Sequence, residues 1–466
     1  MKSQYDIAII GGGISGLMCA YRLINKNPKL NICIIEKGMP LHLRKCPSND
    51  VIPCKKCTPC SIVNGIAGAG AFSDGKYIIS TEYGGWLPKF INNDNAIKYI
   101  KEVDNILVNF GATKDVYMPD NELKQYCLKF DLHMQQAVVK HLGTDKNYYT
   151  MMNFVKFLSD KIDVFTNADV HHITKLNGKY HIDSTIETDV VVIATGRSGS
   201  QLIDDFCKEN KISMVSNQVD IGVRVELPQL IWDEFEKKIY EPKIWYRTKQ
   251  YGDIVRMFCF CGSGYVKSEN TNGVVTVNGH STREQKTDNT NFALLSSINF
   301  TQPFNDPIRY AKYIASLANM ISDNGIIVQR FGDLINGRRT TDKRLSESST
   351  KPSLKATAGD LSLVIPKRQL DNIIETIYQL DKVAMGTANN DTLLYGVETK
   401  YYSARPIFKS NEFDVCDNVY IIGDGSGVTR SLSHAGAMGL YVADVILSKD
   451  FIVNKERNKN ESRNDV

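Results

Sequence analysis

Residues 5–36, YDIAIIGGGISGLMCAYRLINKNPKLNICIIE, predict a strand, a glycine-rich turn, a helix and a second strand. In the turn, Gly11 permits a tight bend, Gly13 lets the backbone approach a pyrophosphate, and Gly16 allows the helix to pack on the sheet. The N-terminus of the helix then faces the phosphates with free N–H groups. Glu36, 20 residues after Gly16, is spaced to accept hydrogen bonds from an adenosine ribose. The stretch predicts a dinucleotide site but does not distinguish NAD from FAD.

Two later segments indicate which dinucleotide the chain binds. Residues 190–196, VVVIATG, predict a buried strand that ends in a small-residue turn, and residues 418–427, NVYIIGDGSG, predict another. Residues 435–440, AGAMGL, continue the second segment on a helix. In this order they resemble the second and third cofactor motifs of the glutathione-reductase-like flavoproteins, which have two dinucleotide folds. The sequence therefore predicts FAD.

The resemblance implies a role for each later motif. The turn Ala194-Thr195-Gly196 would lie beside the adenosine half of FAD, and the Asp424 carboxylate would bind a ribityl hydroxyl. The helix that follows would point its N-terminus at the N1/C2=O edge of the flavin. This direction is physically reasonable, because a positive helix end stabilises the negative charge that a reduced flavin carries at N1.

A closer resemblance covers most of the chain. Its motifs are Cys46-Pro47, Cys54-x-x-Cys57-x-x-Cys60, and residues 68–76 (GAGAFSDGK), 81–87 (TEYGGWL), 402–406 (YSARP) and 423–430 (GDGSGVTR). These motifs are similar to a family known mainly as uncharacterised FAD-dependent dehydrogenases, which implies the fold and the flavin but no substrate. The motifs and the two resemblances together predict these cofactor-binding residues: Gly11, Gly13, Ile14, Ser15, Gly16, Glu36, Lys37, Gly70, Ala71, Ser73, Asp74, Gly75, Val170, Ala194, Thr195, Gly196, Gly423, Asp424, Gly427, Val428, Thr429 and Gly436.

Composition excludes several classes of protein. The 466 residues are 42% hydrophobic and 23% charged, which is typical of a folded globular protein rather than a disordered or fibrous one. No apolar run approaches the ~20 residues of a membrane span. The formal net charge of +4 gives no general reason to expect a nucleic acid or a membrane as partner. No signal-type apolar segment follows Met1, so we expect a cytoplasmic protein.

One segment departs from this neutrality. Residues 331–370 contain eight Lys or Arg against four Asp or Glu. Arg338 and Arg339, followed by two threonines, are suited to an anionic substrate or to the phosphate of a pyridine nucleotide. A solvated loop is the alternative.

The sequence predicts an α/β fold with a FAD-binding Rossmann-like core. Residues 1–215 would form its first part and residues 396–450 its final part. Residues 216–395 would be an inserted β-rich substrate domain, because their pattern changes to alternating strands. The first part would include a cysteine-rich loop at 44–62 and a helical cap at 91–150, and the polar tail 451–466 would be disordered.

Four of the 11 cysteines fall within 15 residues, at Cys46, Cys54, Cys57 and Cys60. Three interpretations stay open. A [4Fe–4S] cluster needs four thiolates, and C-x2-C-x2-C with a distant Cys-Pro is typical of ferredoxins, although here the Cys-Pro precedes the run. A structural Zn²⁺ would accept the same ligands, although zinc sites more often use two separated C-x2-C pairs. The third interpretation is a set of thiols with no metal.

Flavin chemistry needs few protein groups, mainly a proton donor or acceptor and a charge near the ring. His434, at the start of the third-motif helix, is one catalytic candidate, although such a histidine often bonds only its own turn. Lys76 is a second candidate, with an ion pair to Asp74 or Glu82 as the alternative. Arg405 is a third, suited to clamp a substrate carboxylate or, alternatively, to form a buried salt bridge.

The predicted function is an FAD-dependent oxidoreductase that transfers a hydride between a small organic substrate and flavin N5, and the basic segment 331–370 is suited to an anionic substrate. Electrons would pass to or from the flavin through the four-cysteine centre or a carrier, either a ferredoxin-like protein or NAD(P)H. No second G-x-G-x-x-G follows a strand in the middle of the chain, so no separate NAD(P)H domain is expected. Two rival hypotheses are a flavin-dependent tRNA-modifying enzyme and an electron-transfer module that acts on a protein partner.

Overall fold

The computed structural model describes residues 3–47, 57–271, 273–280, 286–300, 303–304, 306–401 and 403–449. Its strands are β1 Gln4–Ile10, β2 Ile32–Ile35, β3 Lys76–Ile79, β4 His133–Gln135, β5 Val138–His141, β6 Asp163–Phe165, β7 Ile173–Leu176, β8 Lys179–Ile182, β9 Ile186–Ile193, β10 Met214–Val215, β11 Val219–Pro228, β12 Lys243–Arg247, β13 Ile254–Cys261, β14 Tyr265–Thr271, β15 Val274–His280, β16 Asn289–Ile298, β17 Ile327–Arg330, β18 Thr357–Ala358, β19 Leu393–Tyr401, β20 Arg405–Pro406, β21 Asp414–Cys416 and β22 Val419–Ile421.

Its α-helices are α1 Ile14–Lys26, α2 Pro88–Ile91, α3 Asn93–Asn109, α4 Asn121–Leu128, α5 Thr144–Ser159, α6 Ser200–Glu209, α7 Asp233–Lys238, α8 Pro307–Ile321, α9 Phe331–Ile335, α10 Asp342–Glu347, α11 Lys367–Asp381 and α12 Leu432–Leu447. The strands and helices belong to two compact units. Together these units confirm the predicted α/β class. The first unit comprises 1–116, 138–215 and 403–466, and the second comprises 117–137 and 216–402.

The first unit is built on a mainly parallel sheet with the order β21-β22-β9-β1-β2-β6. Strands β2, β1, β9 and β22 run parallel and in register, so their last residues, Ile35, Ile10, Ile193 and Ile421, form one row. The chain turns from β1 to one side through β2 and to the other through β9, so the strand order reverses beside β1. In open α/β sheets a ligand binds in the crevice at this reversal.

Both faces of this sheet are buried, which explains the nearly continuous apolar sequence of its strands. Ile7 and Ile9 of β1 pack into one hydrophobic cluster with α1, α3 and α12, whereas Ala8 and Ile10 pack into another with α6. The helices α1 and α12 approach each other closely. A Cβ at Gly439 would lie only 2.2 Å from the carbonyl oxygen of Ser15. The glycine therefore permits the contact that brings these two helices together.

The second unit is built on a mainly antiparallel sheet of eight strands, in the order β18-β17-β19-β11-β16-β13-β12-β4. One face of its central strands carries an apolar cluster with helices α8 and α11. The other face carries charges, and among them Arg224 Nε lies 3.2 Å from Glu398 Oε2 with both side chains fully buried. Glu226, equally buried, accepts hydrogen bonds from Tyr395 and Asn289.

The boundaries of the units differ from the sequence expectation in two places. Residues 117–137 of the expected helical cap belong to the second unit, because β4 pairs with β12 and Leu123 and Met134 join that unit's core. The cap region also contains β5, which pairs with β3. The chain leaves the second unit at 402/403 rather than at 395/396, because β19 continues to Tyr401 as a strand paired with β11. The predicted tail 451–466 lies outside the described residues.

Half of the eight basic residues in segment 331–370 pair with carboxylates. Arg338 Nε lies 2.7 Å from Asp333 Oδ1, and Arg344 reaches the same oxygen at 3.9 Å. Lys367 pairs with Asp371 at 2.8 Å, and Arg368 pairs with Asp253 at 2.7 Å. Half of the segment's basic side chains are therefore paired within their own unit. Among the described helices, none has the length and apolarity to cross a membrane.

Candidate dinucleotide site

The three glycine motifs meet at the row of strand ends in the first unit. A Cβ at Gly11 would lie 2.5 Å from the carbonyl oxygen of Ala194, so the first motif contacts the second. A Cβ at Gly423 would lie 2.4 Å from Ser15 Oγ, so the third motif contacts the first. Gly425 similarly abuts the backbone of Gly196. Segments separated by hundreds of residues thus form one continuous wall.

Open space and free donors adjoin this wall at the start of α1. A Cβ at Gly13 or at Gly196 would meet no atom within 4 Å. Gly13 is the N-cap of α1 and, as a glycine, provides no side-chain cap. The first-turn N–H groups and the positive end of the helix dipole are therefore available to a phosphate. Gly11 adopts a φ of +107°, which only glycine adopts without strain.

Glu36 follows β2 and is 7% exposed. Its Oε1 accepts the N–H groups of Gly38 and Gly65, each at 2.9 Å, and its Oε2 accepts the N–H of Gly12 at 2.9 Å. A carboxylate offers about four acceptor positions. Among the described residues three of these positions are filled, so one acceptor position remains on Oε2.

Two buried side chains that were absent from the sequence predictions hold the segment 61–75. Arg44 donates to backbone carbonyls of residues 61–68, including Ile66 at 2.7 Å. Asn147 Nδ2 donates to the carbonyl of Gly70 at 2.7 Å, and its Oδ1 accepts from Tyr77 at 2.9 Å. Their partners are mainly backbone groups distant in sequence, so no local pattern could have revealed them. Gly68 lies against Gly13, and Gly70 against Leu432, so the segment runs from the first motif to the third.

Asp424 lies at the turn after β22. Its Oδ1 accepts a hydrogen bond from Thr429 Oγ1 at 2.8 Å. Burial raises the pKa of Asp424 above its ordinary value, although Arg197, Thr429 and Arg430 oppose this effect. The carboxylate is thus poorly hydrated and has acceptor capacity left, which suits it to a ligand hydroxyl.

His434 lies in the first turn of α12 and is fully buried. Its Nε2 lies 2.9 Å from the carbonyl oxygen of Ser80, so Nε2 carries the proton and donates it. Among the described residues, its Nδ1 has no hydrogen-bond partner. Burial lowers the pKa of His434, so the ring is neutral at pH 7.

The other two catalytic candidates are partly exposed. Lys76 Nζ lies 3.9 Å from Asp74 Oδ2, and His141, opposite Lys76 in the β3–β5 pair, lies 3.5 Å from the same oxygen. Arg405, in β20, stacks its guanidinium over the ring of Phe90 at 5.4 Å. The alternative predicted for Lys76, an ion pair with Asp74, is present, and catalytic roles for all three candidates stay predictions.

The remaining predicted cofactor residues lie at several places in the first unit. Ala71, Val428 and Gly436 are buried, the last against Val103. Lys37 is half-buried directly after Glu36, whereas Val170 is 7% exposed and packs in the apolar cluster on the Ala8 side of the sheet.

Of the four clustered cysteines, Cys54 lies outside the described residues. Cys46 and Cys57 are exposed, and Cys60 is half-buried. Among the described residues, no three or more Cys, His, Asp or Glu side chains are placed to hold a metal ion. The metal at these cysteines stays a prediction.

Taken together, the first unit has the features that FAD requires. Its helix end can hold a pyrophosphate, and the carboxylates of Glu36 and Asp424 each retain room to accept a ligand hydroxyl. Gly13 and Gly196 leave open the space that the cofactor would fill.

Comparison with known proteins gives matches over most of the chain. Residues 5–224 match the family described as pyridine nucleotide-disulphide oxidoreductase. Residues 218–401 match the family described as FAD-dependent protein, C-terminal domain-like. An uncharacterized protein from Clostridium beijerinckii is 24% identical over 406 residues, which cover 83% of this chain and 70% of that protein. A mitochondrial L-2-hydroxyglutarate dehydrogenase from Nematostella vectensis is 47% identical over 54 residues, 11% of this chain and 12% of that protein.

Solved structures that align with the chain are distant. Glycine oxidase from Geobacillus kaustophilus has 11% identity and a TM-score of 0.39, with 96% of each chain covered. L-proline dehydrogenase from P. horikoshii has 12% identity and a TM-score of 0.40, with 96% of this chain and 94% of that chain covered.

Proposed function

We propose that this chain, an FAD-dependent oxidoreductase, transfers a hydride between a small organic substrate and the flavin. A pyridine nucleotide-disulphide oxidoreductase region precedes a FAD-dependent C-terminal domain in it. The observation that carries the proposal is that three cofactor motifs meet around open space at the N-terminus of α1. Bound FAD supplies a ring that exchanges electrons singly or in pairs.

The protein's own groups bind and orient this cofactor. We propose that the first-turn N–H groups of α1 bind its pyrophosphate, Glu36 accepts a hydroxyl of its adenosine ribose, and Asp424 accepts one of its ribityl hydroxyls. The N-terminus of α12 would stabilise negative charge at the flavin edge. The support is the acceptor capacity left on both carboxylates.

We propose His434 as the group that moves a proton at this site. Its Nε2–H is fixed by Ser80, and its neutral Nδ1 has a lone pair available to accept a proton. Lys76 and Arg405 are the further candidates, and Arg405 would favour an anionic substrate.

The direct test is reduction of the bound flavin without oxygen. The purified protein, loaded with FAD, is mixed with small carboxylic, hydroxy and amino acids while the visible flavin absorbance is followed. We expect one class to bleach the flavin. Bleaching only by a reduced ferredoxin or flavodoxin would instead support the electron-transfer rival, and bleaching that requires RNA at low salt would support the nucleic-acid rival.

We further propose that Cys46, Cys54, Cys57 and Cys60 hold an iron–sulfur cluster that exchanges electrons with the flavin. Their spacing supports this, as does the position of Cys60 directly before the segment that contacts Gly13. None of the ten described cysteines forms a disulfide, which supports a reducing, cytoplasmic location.

Iron and zinc analysis after anaerobic purification tests this proposal. We expect four irons per chain, lost together in Cys57→Ala and retained in Cys416→Ala, the matched control outside the cluster. One zinc per chain would show that the cysteines hold a structural zinc ion instead of a cluster. The absence of both metals would overturn the proposal of a metal at these cysteines.

A further inference from the structure

Arg44 is a buried cation that binds peptide groups instead of an acidic side chain. It is 3% exposed, and its guanidinium stacks on the ring of Phe72 at 4.7 Å. Burial lowers its pKa to about 10, with Glu36 as the largest opposing influence, so it is charged at pH 7. Its N–H groups donate to five carbonyl oxygens: Ser61 at 2.8 Å, Ile62 at 2.8 Å, Ile66 at 2.7 Å, Gly68 at 2.9 Å and Gly65 at 3.4 Å.

Gly65 joins Arg44 to Glu36. Its N–H donates to Glu36 Oε1 at 2.9 Å, while its carbonyl accepts from Arg44. The fit is tight, because a Cβ at Gly65 would lie 2.6 Å from Arg44 Cδ. The two peptide groups that flank Gly65 are thus held by opposite charges, and the position of Glu36 Oε1 depends on where Arg44 holds this residue.

We propose that Arg44 is a positioning residue for the adenosine ribose of FAD. Through Gly65 it fixes the Glu36 carboxylate so that the last acceptor position on Oε2 points to a ribose hydroxyl. The inference rests on the binding of FAD with its ribose at Glu36. A lysine could not replace Arg44, because an ammonium has three N–H donors and lacks the planar fork that reaches five carbonyls.

A ligand–mutant cycle tests this role. FAD and two analogues, with 2′-deoxyadenosine or 3′-deoxyadenosine in place of adenosine, are titrated into apoprotein of the wild type, Arg44→Gln and Arg44→Lys. In the wild type we expect at least one analogue to bind about 10-fold more weakly than FAD, the loss typical of a charge-assisted hydrogen bond. In both variants FAD itself should bind about 10- to 100-fold more weakly, and the analogue's penalty should shrink below about 3-fold.

Arg22→Gln is the matched control. Arg22 is a largely buried arginine of the same unit that pairs with Glu102 and Asp444, so its loss should leave the analogue penalty unchanged. Arg44→Lys keeps the charge and serves if Arg44→Gln does not fold. An equal penalty in wild type and variants, or no penalty in the wild type, would overturn the role of Arg44. Failure of the wild type to bind FAD at all would instead overturn the flavin site.

Discussion

Two buried charged clusters, one in each unit, use their charges differently. In the first unit, Glu36 and Arg44 bind peptide groups of neighbouring loops. In the second, Arg224 and Glu398 bind each other across adjacent strands. A charge bound to peptide groups shapes a loop and can keep an acceptor free for a ligand, whereas an ion pair between adjacent strands joins those strands and serves the fold. The difference separates residues that should control cofactor affinity from residues that should control stability.

The largest effect should come from breaking the pair in the second unit. Arg224→Met leaves Glu398 buried with only Lys400, 3.5 Å away, as a cationic neighbour among the described residues. We expect the free energy of unfolding, measured in urea, to fall by about 3–5 kcal/mol. The double variant Arg224→Met/Glu398→Leu should recover most of this loss, because it leaves no uncompensated charge. A cost below about 1 kcal/mol for the single variant would show that the pair is not structural.

The next effect separates affinity from stability in the first unit. Gly13 has φ −76° and ψ 178°, which alanine tolerates, and its Cβ would enter the open space. Gly13→Ala should change the unfolding free energy of the apoprotein by less than about 1 kcal/mol. It should weaken FAD binding at least 10-fold, a loss of about 1.4 kcal/mol, as measured by titration. Gly11→Ala, strained by its φ of +107°, should instead destabilise the apoprotein. Unchanged FAD affinity in Gly13→Ala would show that FAD does not bind next to Gly13.

The effect of Asp424→Asn on the free energy of unfolding should depend on pH. The sign of this dependence should be opposite to that expected for an ion-paired carboxylate. Burial raises the pKa of Asp424, so the native apoprotein holds this proton to a higher pH than the unfolded chain does. The variant should therefore be more stable than the wild type at pH 7, and its advantage should vanish as the pH falls toward about 4. Urea unfolding at several pH values measures this, with the exposed Asp205→Asn as control. An Asp424→Asn variant that is less stable at pH 7 would contradict it.

The smallest effect concerns His434. His434→Gln should cost about 1 kcal/mol at pH 7 for the bond to Ser80. Because burial lowers the pKa of His434, the unfolded chain takes up a proton near pH 6.5 before the native state does. The wild type should then lose more stability than the variant between pH 7 and pH 5. His172→Gln, at an exposed position, is the control, and parallel pH profiles of His434→Gln and wild type would refute the expectation.

Part of this architecture follows from sequence alone. The glycine spacings and the apolar strands predicted the first unit, because turn geometry and a continuous run of apolar residues are local properties. That residues 117–137 belong to the second unit was not predictable, since β4 pairs with β12, which lies over 100 residues away. Arg44 and Asn147 escaped prediction for the same reason, because their partners are mainly backbone groups that carry no residue-specific signal.

The contact between Gly423 and Ser15 also has a consequence in time. The two residues are about 400 positions apart, so at roughly 5–20 residues per second a ribosome needs about 20–80 s to make the second after the first. The proposed FAD site is therefore incomplete during that interval. Cofactor capture is therefore a late step that follows synthesis, and until then the N-terminal half of the chain must persist without the ligand that stabilises it.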